Sequence, residues 1–161
     1  GGTRILAKNL QSGVLVMPLL ETRGQQKLIT GKDVVHFTWD EGVSPYTIRV
    51  KRKGTRQKVT QTVRTREIAL NLALKTDAPY RVTVRDGRGD EVCTSFKVVA
   101  NLPSKPTTTE LWEIQNDPQG QPYGCARWLA KQNQNRWAFE AYQFLKNGGR
   151  DQKILSLCGI D

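Results

Sequence analysis

The sequence predicts a mainly β protein, an antiparallel β-sandwich followed by a small α-helical tail. Apolar and polar residues alternate through most of residues 33–100, which is the period of a half-buried strand. Turn-forming residues interrupt this pattern at intervals of about 8–12 residues, as in antiparallel sandwiches. A segment rich in Pro and Thr then leads to a region with a different composition, which holds three of the four tryptophans and an amphipathic helical pattern.

Seven short strands account for the alternating pattern. The first is the apolar run Val14–Met17, which ends at Pro18. The strand at residues 57–64 has a weak apolar face and carries lysine, which favours a position at the edge of a sheet. Trp39 closes the apolar face of the second strand, and we expect it at the centre of the core. The other strands are predicted at residues 35–39, 46–50, 68–74, 80–84 and 92–98.

This part of the chain resembles an immunoglobulin-like or fibronectin type III-like module. The residues that carry the resemblance are Trp39 near the end of an early strand, the strand Tyr46-Thr47-Ile48-Arg49-Val50, and the strand Pro79-Tyr80-Arg81-Val82-Thr83-Val84. The paired cysteines of antibody domains are absent. The resemblance implies a sandwich fold and no particular function.

Composition divides the chain into a sandwich domain (residues 1–100), a Pro/Thr linker (101–109) and a helical tail (110–161). Helices are predicted at Glu110–Gln115, at Tyr123–Gln132, after an N-cap at Asn135, and after Asp151. The segment ARWLAKQNQNRWAFEAYQFLKNGG is loosely similar to one tetratricopeptide-type helix pair. A single pair of this kind cannot bury its own apolar face. We therefore expect the tail to dock on the sandwich; the alternative is that it caps a missing partner.

Positive charge is concentrated in one part of the chain. The net charge is +10, and residues 42–66 carry eight basic and no acidic residues. Because this stretch alternates like two paired strands, the charges are expected to form a surface. That surface is either a solvated strand face or a binding site for a polyanion. The candidate binding residues are Arg49, Lys51, Arg52, Lys53, Arg56, Lys58, Arg64 and Arg66.

Nucleic acid is a less favoured partner for this surface. No aromatic residue is interleaved with the basic positions to stack on bases, and the sequence has no RNP, KH or zinc-finger signature. We therefore expect a protein partner or another anionic polymer.

The three cysteines fit no zinc-site spacing, and His36 is the only histidine. They are either small buried residues or include a Cys125–Cys158 disulfide, which would indicate an oxidising compartment. No metal and no cofactor are predicted. The tail tryptophans Trp112, Trp128 and Trp137 either fill a core or, if exposed, form a protein-binding patch.

The sequence contains no constellation for catalysis. His36 has no companion nucleophile motif such as G-x-S-x-G, and H-E-x-x-H is absent. We predict a non-enzymatic binding or assembly module, extracytoplasmic (periplasmic or secreted) or part of a cell-envelope protein. The start at Gly1 without Met also favours that location, and no apolar run reaches the roughly 18 residues of a membrane span. The alternative is a cytoplasmic protein that binds polyanions or nucleic acid; the oligomeric state is not predicted.

Overall fold

The computed structural model describes residues 13–161; residues 1–12, which the sequence analysis assigned to the sandwich domain, lie outside the described residues. The described chain folds into seven strands followed by four helices, so the protein is mainly β with a small helical tail, as predicted. The strands are β1 (Gln26–Ile29), β2 (Val34–Thr38), β3 (Tyr46–Arg52), β4 (Lys58–Val63), β5 (Glu67–Asn71), β6 (Pro79–Arg85) and β7 (Glu91–Val99). The helices are α1 (Thr108–Gln115), α2 (Gln121–Asn135), α3 (Ala138–Lys146) and α4 (Gln152–Leu157).

The strands form a five-stranded sheet, in the order β1-β7-β6-β3-β4, and a two-stranded sheet of β2 and β5. Strand β4 lies at an edge, as its weak apolar face predicted. The larger sheet is mixed, because β1 runs parallel to β7 while the other pairs are antiparallel.

The difference from a purely antiparallel arrangement arises at the first strand. The prediction of a strand at Val14–Met17 is wrong, because Val16 makes only an isolated bridge to Asp40. The chain turns after Pro18, and the next strand, β1, lies at the edge of the five-stranded sheet beside β7.

The two sheets face each other across an apolar core. Trp39 is completely buried there and packs edge to face against Tyr46, with ring centroids 5.5 Å apart. Phe37 from one sheet and Phe96 from the other pack together at 6.2 Å, and each ring lies 5.6 Å from Phe139 of the tail. The prediction that Trp39 lies in the core is confirmed.

Two tyrosine hydroxyls fix loops next to the central strands. The hydroxyl of Tyr80, near the start of β6, accepts a hydrogen bond from the backbone N–H of Lys75 at 2.7 Å. The hydroxyl of Tyr46, at the start of β3, donates to the carbonyl of Glu41 at 3.0 Å. A buried ring whose hydroxyl has a partner anchors a loop at little polar cost. These contacts position β3 and β6, which are neighbours in the larger sheet.

Local signals set the ends of the tail helices. Thr107 and Glu110 form a reciprocal capping box at α1, and Asp151 caps α4. At the C-terminal end of α2 the backbone leaves the helical region, and Asn133, Gln134 and Asn135 have positive φ angles of 51°, 59° and 66°. Asn tolerates this left-handed region better than most residues. Consequently α3 begins at Ala138, and the predicted N-cap at Asn135 is wrong.

Helix α3 lies against one open side of the sandwich. Its Gln143 side chain is completely buried and bonds twice to the backbone of His36 in β2: the amide oxygen accepts from the N–H at 2.7 Å and the amide nitrogen donates to the carbonyl at 2.8 Å. The carboxylate of Glu140 accepts from the N–H of Ile29 in β1 at 2.7 Å. Two side chains of the helix therefore satisfy the unpaired backbone groups of two edge strands.

The same interface contains further buried polar contacts. Glu140 also forms an ion pair of 2.7 Å with Lys32, whose side chain is 11% exposed. At the N-terminus of the helix, the buried Gln26 side chain accepts a hydrogen bond from the N–H of Phe139 at 2.9 Å. The division of the chain into domains and a linker stays a prediction, but these contacts join the described tail to the described strands.

Candidate anion-binding face

One face of the five-stranded sheet points away from the core and carries the basic residues of its central strands. On β3, Arg49 and Lys51 are exposed, while Ile48 and Val50 are buried. The strand register places Lys51 opposite Lys58 of β4 on one side and opposite Arg81 of β6 on the other. These three cations form a row across the sheet, with a Cα span of roughly 10 Å, twice the strand spacing of about 4.8 Å.

Two further outward cations lie beside this row and not in it, because the residue opposite Arg81 on β7 is Ser95 and Lys97 lies two positions further along. Lys97 of β7 pairs in register with Lys27 of β1 on the same outward face. Lys27 also lies over the ring of Trp137, with its ammonium 5.9 Å from the ring centroid. The outward cations thus come from all five strands of the sheet. We call these residues the basic band: Lys27, Arg49, Lys51, Lys58, Arg81 and Lys97.

The basic band has no acidic partners in the described part of the chain. None of its six residues forms an ion pair there. Among the described strands, the single acidic residue on this outward face is Glu91, which pairs with Arg85 at 3.5 Å. Like charges directly opposed on neighbouring strands destabilise a sheet by up to about 1 kcal/mol per pair, and Lys51 has two such neighbours. The folded state therefore holds repulsion that a bound anion would relieve.

A shallow pocket of about 180 Å³ opens within the basic band, lined by Arg49, Lys51, Lys58, Arg81 and Thr83. Thr83 is only 7% exposed although its side chain lies on the outward face of β6. Its hydroxyl donates to the sulfur of Cys93 in β7 at 3.7 Å. The pocket therefore combines four cations with a recessed hydroxyl group.

Most of the predicted basic residues lie in or near this band. Arg52 is the last residue of β3, and Lys53 and Arg56 belong to the turn between β3 and β4, where the backbone N–H of Thr55 bonds to the carbonyl of Arg52 at 3.3 Å. Arg64 is exposed and follows the last residue of β4. Lys53, Arg56 and Arg64 extend the positive surface at the two ends of the β3–β4 hairpin. Arg52 lies on the side of β3 that carries the buried Val50, and it lines a separate pocket with Leu72 and Tyr80.

Arg66 differs from the other predicted residues because its guanidinium donates hydrogen bonds to other groups of the protein. It donates to the hydroxyl of Tyr46 at 3.0 Å and to the carbonyl of Gly42 at 3.3 Å. The hydrogen bond to Tyr46 raises the pKa of Arg66 above its ordinary value. The contacts assign this side chain a role in holding the loop before β3.

Three members of the basic band were missed as site residues by the sequence analysis. Arg81 alternates outward from a predicted strand, which is a signal that could have identified it. Lys97 alternates outward from the predicted strand at residues 92–98 and carried the same signal. Lys27 lies outside the predicted strands and meets Lys97 only through the parallel pairing of β1 with β7. The number of charged residues in one segment does not reveal a surface that forms when strands distant in sequence pair.

The tail tryptophans do not form a common exposed patch. Trp128 is 7% exposed and Trp137 is 1% exposed, and both belong to an apolar cluster within the tail. Trp112 on α1 is 65% exposed. Of the two alternatives that the sequence left open, core packing describes Trp128 and Trp137, while Trp112 is exposed.

The tail also contains the disulfide that the sequence left open. Cys125 of α2 is bonded to Cys158, which follows α4, and both residues are completely buried. Cys93 is free and exposed on the outward face of the larger sheet.

Within residues 13–161, no group of three or more His, Cys, Asp or Glu residues is placed to hold a metal ion. No helix of that region combines the length and apolar character needed to cross a bilayer. The comparison of this chain with protein-family models and with curated proteins gives no match.

Proposed function

We propose that this protein is a non-enzymatic binding module that contacts an anionic macromolecular partner through the basic band. The observation that carries this proposal is the set of unpaired cations drawn from all five strands of one sheet. A row of opposed like charges costs stability in the free protein. A partner with negative charge would convert that cost into binding free energy and would accelerate encounter.

We also propose that the sandwich is of the immunoglobulin-like or fibronectin type III-like kind. The buried Trp39 supports this assignment. So does the bond from the N–H of Lys75 to the hydroxyl of Tyr80, which resembles the tyrosine corner of such domains. The likeness of the tail to a tetratricopeptide helix pair remains a prediction.

An extracytoplasmic setting, in a periplasmic, secreted or cell-envelope protein, is the location we propose. The Cys125–Cys158 disulfide supports it, because such bonds persist mainly in oxidising compartments. The alternative is a cytoplasmic protein that binds a polyanion or nucleic acid. Intact mass of the protein from its native source, with and without thiol alkylation, separates the two: one free thiol favours the oxidising compartment, and three favour the cytoplasm.

The binding proposal is tested by charge reversal within the basic band. A variant with Lys51→Glu, Lys58→Glu and Arg81→Glu should elute from an anionic resin such as heparin at a much lower salt concentration than the unchanged protein. Its circular dichroism and melting should stay close to those of the parent, because all three side chains are exposed.

The matched control is Lys105→Glu, Lys131→Glu and Lys153→Glu. These three lysines are also exposed but lie in the linker and the tail. The control changes the net charge by the same amount, so it reports how much retention depends on net charge alone. Equal loss of retention in the two variants would refute a localised binding face.

A further inference from the structure

We propose that the pocket within the basic band is a binding site for one tetrahedral oxyanion, the sulfate or phosphate ester group of the anionic partner. This inference rests on the proposed function and narrows it, because it separates partners with sulfate or phosphate groups from partners that carry only carboxylates.

The charged groups around the pocket suit such an anion. Arg49 and Arg81 contribute planar guanidinium groups, which bind phosphate and related oxyanions through two parallel hydrogen bonds. Lys51 and Lys58 add two ammonium groups that act as point charges. None of the four is neutralised by an ion pair in the described chain. A group with three free oxygens can engage more of these donors at once than a carboxylate with two.

Thr83 adds a neutral donor at the most recessed point of the pocket. Its hydroxyl is directed at the sulfur of Cys93 at 3.7 Å, and sulfur is a weak acceptor. An oxygen of a sulfate or phosphate is a stronger acceptor, and threonine hydroxyls commonly donate to phosphate oxygens. The Thr83 hydroxyl should therefore gain free energy when it donates to an anion oxygen in place of the Cys93 sulfur. The pocket volume of about 180 Å³ is several times the roughly 30 Å³ that one water occupies in the liquid.

The rest of the outward face favours recognition of charge over recognition of bases. Its strand positions next to the pocket carry Thr47, Thr60, Thr62, Cys93 and Ser95, and none of these is aromatic. Base stacking requires aromatic or guanidinium planes laid against the nucleobase. The guanidinium planes next to this pocket belong to Arg49 and Arg81, which the proposal assigns to the oxyanion. An oligonucleotide should therefore bind mainly through its phosphates.

Cys93 provides a local reporter for this site. It is exposed and is the one free thiol of the chain, since the other two cysteines form the disulfide. The measurement is the alkylation rate of the native protein with neutral iodoacetamide, while sodium sulfate or phosphate replaces chloride at constant ionic strength. A bound anion should cover the thiol and so slow the reaction. We expect a several-fold, saturable slowing with either anion.

Parallel titrations separate polymers that carry sulfate or phosphate groups from a polymer that carries only carboxylates. Heparin oligosaccharide, inorganic polyphosphate and a short single-stranded oligonucleotide should each protect Cys93. Hyaluronan, whose charges are carboxylates, should protect it much less at equal charge concentration.

Substitutions at Thr83 test the recessed hydroxyl. Thr83→Val removes the hydroxyl at nearly constant volume and should weaken protection by sulfate about tenfold, the ratio expected for loss of a hydrogen bond to a charged group. Thr83→Ser should restore it. Thr62→Val is the matched control, because Thr62 faces the same way on β4 but does not line the pocket. Each rate is divided by the rate of the same variant in chloride, which corrects for changes in thiol reactivity.

The outcomes distinguish this inference from the proposed function. If sulfate and phosphate protect Cys93 no better than chloride, or if Thr83→Val behaves like Thr62→Val, the pocket is not an oxyanion site. Retention on the anionic resin, lost in the band variant and kept in its control, would then still support the proposed function. If the band variant and its control instead eluted alike, the proposed function itself would be refuted.

Discussion

Lys51 and Arg66 belong to the same basic stretch of the chain, but the structure uses them differently. Lys51 is exposed between two other cations, whereas Arg66 bonds to Tyr46 and to a backbone carbonyl. At the scale of single residues, the partner of a charged group therefore decides its role. Sequence composition counts both residues alike.

Trp39→Ala should leave the protein insoluble or without fixed tertiary structure. Trp39 has no exposed surface and packs against Tyr46. Truncation of a buried Trp costs about 3–5 kcal/mol, against a total stability of about 5–15 kcal/mol for a domain. Chemical denaturation followed by circular dichroism is the measurement.

His36→Ala is the control for this change. The side chain of His36 is partly exposed, and its ring makes one contact of 3.3 Å, to Asn147. Only its backbone is bonded to Gln143, so the variant should fold normally. Equal tolerance of both substitutions would mean that Trp39 does not hold the core together.

The stability contributed by Glu140 should depend on pH. Burial raises the pKa of this carboxyl above its ordinary value, with the attraction of Lys32 opposing the shift. A group with a raised pKa in the folded state binds protons more readily when folded. Its contribution to stability is therefore complete below the unfolded pKa of 4.5 and is lost as the pH rises through the folded pKa.

The variant Glu140→Gln isolates this effect. The groups that face the carboxylate are Lys32, the N–H of Ile29 and, at longer range, Asp151. The free energy of unfolding of the parent, relative to that of the variant, should increase as the pH falls from 7 toward 4.5. Other carboxyls with lowered pKa values, such as Glu67 and Asp117, affect both proteins alike. A difference that is independent of pH, or that decreases on acidification, would contradict this prediction.

At the scale of elements, side chains of helix α3 bond to the backbone groups of edge strands that a neighbouring strand would otherwise pair with. Gln143 occupies both hydrogen-bonding groups of His36 in β2, and Glu140 occupies the N–H of Ile29 in β1. Phe139 enters the core of the sandwich beside Phe37 and Phe96. The helix thus seals an open side of the sandwich and covers edges that would otherwise be free to pair with other chains.

A fragment that ends at Leu102 should be less stable than the whole chain and should self-associate. It lacks the ring of Phe139 in the core and leaves the edge groups of β1 and β2 without their partners. Thermal melting, binding of a hydrophobic dye and sedimentation at several concentrations are the measurements.

Gln143→Ala in the full chain separates the two causes. It removes the bonds to β2 but keeps Phe139, so it should lower stability by about 1–3 kcal/mol for the unsatisfied backbone groups. If the fragment instead melted like the whole chain and stayed monomeric, α3 would be dispensable for the sandwich.

At the scale of the whole molecule, two apolar clusters and one charged surface are arranged around the larger sheet. One cluster fills the sandwich and the other fills the tail around the disulfide. The tail seals one side through α3, while the outward face carries the basic band. Anions can therefore approach Arg49, Lys51, Lys58 and Arg81 without disturbing either cluster, whereas Lys27 contacts Trp137 of the tail cluster.

Much of this architecture follows from the sequence by itself. Alternation along β3, β6 and β7 determined which residues face the core, and the change of composition after residue 100 marked the helical tail. The concentration of charge in residues 42–66 also identified the centre of the candidate site. These are local properties, because a strand has a period of two whatever its partner.

Only the tertiary structure decided which strands are neighbours. The parallel pairing of β1 with β7 brought Lys27 beside Lys97, and the pairing of β3 with β6 brought Arg81 beside Lys51. The burial of Trp128 and Trp137, the bonds of Arg66 and the pairing of Cys125 with Cys158 were decided in the same way. Each depends on contacts between residues far apart in the chain. Such contacts are selected by the packing of the complete core, which no local pattern records.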